Sequence, residues 1–256
     1  MKDNINILTK EFDRIKDLGW VKSVHSGFSG IGLTLESLLG IDTNSLPYPD
    51  FNGIEIKAKR CFGRGFVTLF NCVPTGPHIK ETERIKDDFG YRCKDLPEYK
   101  VLNCSVYSHY KSRVGYKYFF ELKVDREKEK IFLLVFDVFG NRVEDVVYWD
   151  FDILREKLMI KTSYLGIFLS YIRKIEDIEY FKYYKLLIYH LKGFDNFIDL
   201  IECGIIRITF KVNIYKTEER KGQINNHGVG FDINVNNFSK LYDLVVEKEW
   251  YCGTKG

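Results

Sequence analysis

No stretch of this chain approaches the roughly 20 consecutive apolar residues that a bilayer-spanning helix needs, which leaves no candidate membrane span. The start, Met1-Lys2-Asp3-Asn4, leads into an amphipathic pattern and not an apolar signal core, so an intracellular, soluble protein is expected. Cysteine is sparse and poorly spaced for chemistry. Cys61, Cys72, Cys93, Cys104, Cys203 and Cys252 form no Cys-x-x-Cys pair and have no histidine at zinc-finger spacing, so neither structural zinc nor a disulfide frame is indicated. Neither sign of charge dominates: a net charge of +3 does not by itself demand nucleic acid, and any surface for it must come from local clustering. Repeats, low-complexity tracts and linkers are also missing. The glycine-rich Gly27 to Gly32 segment lacks the Gly-Lys-Ser/Thr ending of a phosphate loop, so nucleotide binding is not supported.

What is present describes a folded α/β protein. Hydrophobic residues at 45% and charged residues at 29% exclude a disordered or fibrous class, and 16% aromatics favour strands. Ile5, Leu8, Phe12, Ile15 and Leu18 predict a first helix with Asp3 or Asn4 as cap and Gly19 just past its end. A second helix is expected from about Gly30 to Leu39, burying Ile31, Leu35, Leu38 and Leu39. Tyr118 to Tyr148 reads as a meander of antiparallel strands, Phe151 to Met159 as a helix, and Tyr183 to His190 and Ile205 to Tyr215 as further strands. A closing helix is expected from about Asn237, burying Phe238, Leu241, Tyr242 and Val245. Strands and helices without regular alternation give an α/β or α+β class around a mixed sheet. A chain of 256 residues is read as one unit with two lobes.

The chemistry concentrates at Pro49-Asp50-Phe51-Asn52-Gly53-Ile54-Glu55-Ile56-Lys57. Side chains alternate along a strand, so Ile54 and Ile56 turn to the core while Glu55 and Lys57 emerge together. Asp50 folds back beside them across the Asn52-Gly53 turn. Two acidic oxygens suit Mg²⁺, a hard cation that keeps several waters, and the lysine can orient a water for attack on phosphorus. Glu-x-Lys triplets also arise by chance, and this chain has decoys at Glu98-Tyr99-Lys100 and Glu121-Leu122-Lys123. Pro97 argues against a central strand at the first, and the second lacks an Asp behind a turn. On spacing alone, a solvated edge strand fits the Asp50 segment as well. Glu36 falls at the edge of the second helix's apolar face between Gly32 and Gly40. Its carboxylate either faces a neighbouring site or simply solvates the helix flank.

Lys216 to Asp232 reads as a long polar loop or hairpin tip. Lys216, Arg220, Lys221, Asn225, His227 and Asp232 are the side-chain types that contact phosphates and base edges. An exposed hairpin with no ligand has the same composition.

Taken together, these segments resemble the MvaI/BcnI family of type II restriction endonucleases, relatives of the MutH mismatch-repair nicking enzyme within the PD-(D/E)XK nuclease fold. Gly19-Trp20, Gly30-Ile31-Gly32, Thr34-Leu35-Glu36, Leu38-Leu39, Pro49-Asp50-Phe51, Ile54-Glu55-Ile56-Lys57 and Thr68-Leu69-Phe70 carry the resemblance. So do Pro74-Thr75, Val135-Phe136-Asp137, Val147-Tyr148-Trp149, Phe151-Asp152, Lys221-Gly222, His227-Gly228, Phe231 and Ile233-Asn234. It implies a central mixed sheet flanked by helices, with two lobes forming a DNA cleft: a catalytic lobe over about 1–150, its active site within 30–70, and a recognition lobe over 151–256. It implies that Asp50 and Glu55 bind Mg²⁺, that Lys57 assists the nucleophilic water, and that Glu36 supports the site. The implied enzyme is a monomer that nicks each strand of a short duplex site in turn, leaving 5′-phosphate ends. It would be a prokaryotic or phage-encoded protein of the cytoplasm, in a cell whose own DNA a matching methyltransferase protects. A MutH-like methylation-sensitive nickase and a catalytically silent DNA-binding protein are the alternatives. His227 agrees with relatives, whereas Asn225 replaces a histidine and Asp232 and Lys211 replace arginines, so altered specificity with retained chemistry is expected.

Overall fold

The computed structural model describes residues 1–27, 29–41, 48–60 and 65–249. Cys61 and Cys252, and Phe28 of the glycine-rich segment, lie outside them; Cys72, Cys93, Cys104 and Cys203 are free thiols. In chain order the elements are α1 (Lys2–Asp17), β1 (Val21–Lys22), α2 (Gly30–Leu39), β2 (Glu55–Arg60), β3 (Phe66–Asn71), α3 (Glu81–Phe89) and β4 (Tyr91–Arg92). Then come β5 (Lys100–Val106), β6 (Ser112–Val114), β7 (Tyr118–Asp125), β8 (Lys130–Asp137), β9 (Arg142–Asp150) and α4 (Phe151–Thr162). The chain continues through β10 (Tyr164–Ile175), β11 (Ile178–Leu191), α5 (Phe194–Glu202), β12 (Ile206–Ile214), β13 (Ile224–Asn234), α6 (Phe238–Leu241) and β14 (Tyr242–Glu249). No helix among the described residues is long and apolar enough to cross a membrane.

Contacts divide the chain into two interleaved units in place of the contiguous lobes 1–150 and 151–256. The first comprises Met1–Arg64, Met159–Lys192 and Tyr242–Gly256, and the second Gly65–Leu158 and Gly193–Leu241. The boundary falls inside α4, which no composition shift in the sequence marks.

The first unit is built on a mixed sheet of order β1-β11-β10-β2, with β14 also pairing β11. Among the described strands of this sheet only β2 runs parallel to its neighbour: Leu165 to Ser170 of β10 register against Glu55 to Arg60. The apolar stripe of α1 (Leu8, Phe12, Ile15) and Ile31 and Leu35 of α2 pack with Ile54, Ile56, Phe168, Phe181, Tyr183, Leu186 and Ile188 in one core. Each such fully buried side chain contributes about 1.5–3 kcal/mol. Leu38 and Leu39 are only partly buried. Gly166 of β10 lies where a methyl group would meet Ile56 and Leu8 at 3.2 Å, so the absence of a side chain is what lets β10 approach this core closely. The α1 cap differs from expectation: Met1 is the cap residue and makes no side-chain bond. Asp3 sits in the first turn, where its charge suits the helix dipole. Asn4 instead donates to Asn52 O at 2.8 Å.

The second unit holds two antiparallel sheets, β3-β13-β12-β5-β4 and β6-β7-β8-β9; the predicted meander is β7-β8-β9, to which β6 adds a strand that was not expected. β12 alternates strictly, with Ile206, Ile208, Phe210, Val212 and Ile214 buried and Arg207, Thr209, Lys211 and Asn213 on the other face. Its core is aromatic. Phe70 stacks on Phe231 at 5.0 Å, and buried Trp149 lies edge-on to Phe231 at 6.1 Å. The indole N–H of Trp149 donates to Cys72 O at 2.9 Å, which satisfies its one polar atom.

Two expectations are overturned. The closing helix is only the four-residue α6, after which Tyr242 to Glu249 extends and pairs antiparallel with β11. Val245 is exposed as a result. Residues 224–232 are not loop: they lie in β13, so the hairpin tip shrinks to about 215–223.

Candidate active site

A tight turn delivers Asp50. Phe51 and Ile54 exchange backbone hydrogen bonds of 3.0 and 2.8 Å, and Asn52 and Gly53 between them have φ of 47° and 84°. Asn-Gly is the pair that tolerates two successive positive φ angles, so the sequence dictates this turn. Immediately after it, Asp50 Oδ2 accepts from the Ile56 N–H at 3.0 Å, which pins the aspartate to the start of β2.

Ile54 and Ile56 turn into the core as alternation requires. Glu55 and Lys57 share the opposite face, and the ammonium of Lys57 pairs directly with Glu55 Oε1. The expectation that both emerge is corrected for the glutamate: Glu55 is 1% exposed, while the Lys57 side chain keeps 29%. Burial raises the Glu55 pKa above the ordinary carboxylate value; Lys57 works against that rise and Asp50 adds to it. Its second oxygen, Oε2, is buried and has no hydrogen-bond donor. What faces it is the ammonium of Lys161, near the end of α4, at 3.6 Å. That distance is too long for a hydrogen bond.

Glu36 is half-buried on α2. Burial raises its pKa, the charge of Asp50 raises it further, and Lys57 lowers it, so the four predicted side chains lie within one electrostatic neighbourhood. The start of α2 is fixed by the buried hydroxyl of Tyr183, which donates to Ile31 O at 2.7 Å. Among the described residues no group of three or more His, Cys, Asp or Glu forms a ready-made metal cage. A donor set of carboxylate oxygens, one of them buried without a hydrogen bond, fits a hard divalent cation that keeps waters in its remaining positions.

The residues predicted to touch nucleic acid belong to the second unit and are dispersed. Lys211 projects from the polar face of β12, and its ammonium reaches Thr68 Oγ1 at 3.1 Å. Lys216 pairs with Asp95. Arg220 lies over the Tyr215 ring at 3.6 Å and contacts Gln223. Lys221 and His227 are exposed and Asn225 half-buried. Asp232 departs most from expectation, being 3% exposed. Its oxygens accept from Thr68 at 2.7 Å and Thr209 at 2.8 Å, with Arg207 at 3.6 Å and Lys211 at 3.8 Å alongside. This carboxylate lies beneath the surface and holds other side chains in place. Sequence reasoning missed Lys161 and Arg207. Nothing local marks the first, whereas the alternation of β12 would have placed the second on the same face as Lys211.

A sequence model of the MvaI/BcnI restriction endonuclease family matches residues 9–242. The structure of the restriction endonuclease MvaI in complex with its cognate DNA substrate is 27% identical to this chain, over 96% of this chain and 99% of that one, with a TM-score of 0.89. MvaI in the absence of DNA is 26% identical over 96% and 98%, with a TM-score of 0.60. A search of curated proteins found no match. The family model covers nearly the whole described chain, as the resemblance in the sequence implied, and this protein belongs to the MvaI/BcnI restriction endonuclease family of type II site-specific deoxyribonucleases.

Proposed function

We propose that the protein binds double-stranded DNA and hydrolyses one phosphodiester per strand at a short specific site, with Asp50 and Glu55 holding Mg²⁺. The observation that carries this reading is Glu55 itself. A buried carboxylate with an oxygen left without a donor costs stability, and such a group persists where a ligand or a reaction uses it. Mg²⁺, when bound, supplies positive charge against that gathering on the phosphoryl oxygens. Asp50, clamped to β2 by the Ile56 N–H, keeps its other oxygen available to the same ion. The ammonium of Lys57 orients a water and offsets the charge that develops as the water oxygen bonds to phosphorus and the P–O3′ bond breaks. The water's proton passes to solvent, the 3′ oxygen leaves as a hydroxyl, and the phosphate stays on the 5′ end. Glu36 supports the site through its field on Lys57.

Recognition falls to the second unit. Lys211, Asn225 and His227 are the base-edge readers, while Lys216, Arg220 and Lys221 at the hairpin tip contact phosphates. Asp232 sets the position of Lys211 and Arg207. Lys211, Asn225 and Asp232 are the departures expected to change the target sequence. A lone catalytic centre acts as a monomer that cuts one strand and then the other, in a cytoplasm where a methyltransferase of matching specificity protects the host DNA.

Incubation with supercoiled plasmid and Mg²⁺ tests the proposal. Open circles should rise and then convert to discrete linear fragments, a chelator should stop both steps, and gel filtration should show a monomer. Smeared products would contradict site specificity. Open circles that never become linear would favour a MutH-like nickase, and binding without cutting a silent DNA-binding protein.

A further inference from the structure

We infer that Lys161 is a built-in stand-in for the divalent ion: in the metal-free protein its ammonium neutralises the second oxygen of Glu55, and it withdraws when the ion arrives. The inference rests on the assignment of Asp50 and Glu55 as the metal-holding pair. Each oxygen of Glu55 faces a different lysine. Lys57 makes a direct pair with Oε1, whereas Lys161 stands 3.6 Å from Oε2. At that separation it screens the charge but leaves the lone pairs open, since no donor occupies them.

The two lysines also differ in what holds them. Lys57 is fixed in register in β2, against Ile167 of β10. Lys161 sits in the last turn of α4, where a cation suits the helix dipole. Its neighbour Thr162 is fully buried, so the helix end is anchored while the lysine stem is not. The Lys161 side chain is 26% exposed, so its ammonium can reach water by rotating a few torsions. A divalent ion on Oε2 would meet an ammonium where it needs an open position, and repulsion between the two favours that rotation.

Lys161→Met keeps the apolar stem and removes the charge. Two measurements avoid cleavage altogether: thermal melting in chelator, and calorimetric titration of the DNA-free protein with Mg²⁺. The variant should melt about 2–6 °C lower without metal, because buried Glu55 loses a counter-charge. It should bind Mg²⁺ about three- to tenfold more tightly, because nothing has to be displaced. The melting deficit should then close as Mg²⁺ is raised. An unchanged metal-free melting temperature, or an Mg²⁺ affinity equal to or weaker than wild type, would overturn the inference. Flat titrations in both proteins would overturn the metal assignment to Asp50 and Glu55 as well, so the two failures are told apart. Should Lys161→Met not fold without metal, Lys161→Arg decides. A guanidinium able to hydrogen-bond Oε2 must weaken Mg²⁺ binding, and equal or tighter binding would count against the stand-in role.

Discussion

Two buried carboxylates with similar neighbours serve opposite ends. Glu55 in the first unit and Asp232 in the second are 1% and 3% exposed, and each lies between two cationic side chains. Asp232 has a threonine hydroxyl on each oxygen, whereas Glu55 has one oxygen with no donor and a raised pKa caused first by burial. The cations are alike in exposure: Lys57 and Lys161 keep 29% and 26% of their side chains in water, and Arg207 and Lys211 keep 20% and 34%, so the difference lies in the hydroxyl donors. A satisfied buried charge organises its surroundings, and an unsatisfied one is available to a ligand.

The largest test of that contrast is Lys57→Ala. Plasmid cleavage should fall by about 10³-fold or more, while site-specific binding measured by gel shift without divalent ion stays within about threefold. Lys211→Ala should do the reverse, weakening or relaxing sequence-specific binding by about tenfold with a smaller effect on single-turnover rate. If Lys57→Ala abolishes binding, the division of labour between the two units is wrong.

The next tests concern stability, and their signs should oppose. Asp232→Ala removes the acceptor of two threonine hydroxyls and the counter-charge of Arg207 and Lys211, and should cost about 3 kcal/mol, read by urea unfolding. Glu55→Gln removes a charge that is costly to bury, and its two lysines can turn to solvent. Melting should be unchanged or about 1–3 °C higher, as expected of a site that trades stability for activity. Two losses of equal size would show that Glu55 is structural after all.

How far the sequence reveals this arrangement depends on whether the deciding partner is close in the chain. The Asp50 turn, the alternation of Ile54 to Lys57, α1, α2 and the 118–148 meander are local patterns, and all are legible. Alternation placed Glu55 beside Lys57, but its burial comes from elements contributed by distant segments, Lys161 among them. β10 was not identified. Tyr164-Leu165-Gly166-Ile167-Phe168 follows α4 without punctuation, and an apolar run buried on both faces has no period of two. Phe238, Leu241, Tyr242 and Val245 do fit a helical period. Pairing of residues 242–249 with the exposed edge of β11 overrides that preference, as tertiary context often does for weak propensities. Asp232 followed a run of loop-like residues, and only its register opposite Arg207 shows it to be strand.

A third carboxylate sets the scale for the first two. Asp13 on α1 accepts from Lys248 of β14 at 2.7 Å, but the two side chains are 43% and 38% exposed. Its pKa is lowered chiefly by the hydrogen bond from Lys248. A depressed folded-state pKa means that the stabilisation is present above the unfolded value of 3.8 and is lost as pH falls through the folded one. Asp13→Asn should therefore cost less than about 1 kcal/mol at pH 7, a cost reduced by high salt and gone in strong acid. The geometry is shorter than the Asp232 pairs, yet the expected effect is several times smaller, because water already solvates both ions at the surface. An Asp13→Asn loss as large as that of Asp232→Ala would mean that distance outweighs burial in this protein, and the contrast drawn between Glu55 and Asp232 would lose its physical basis.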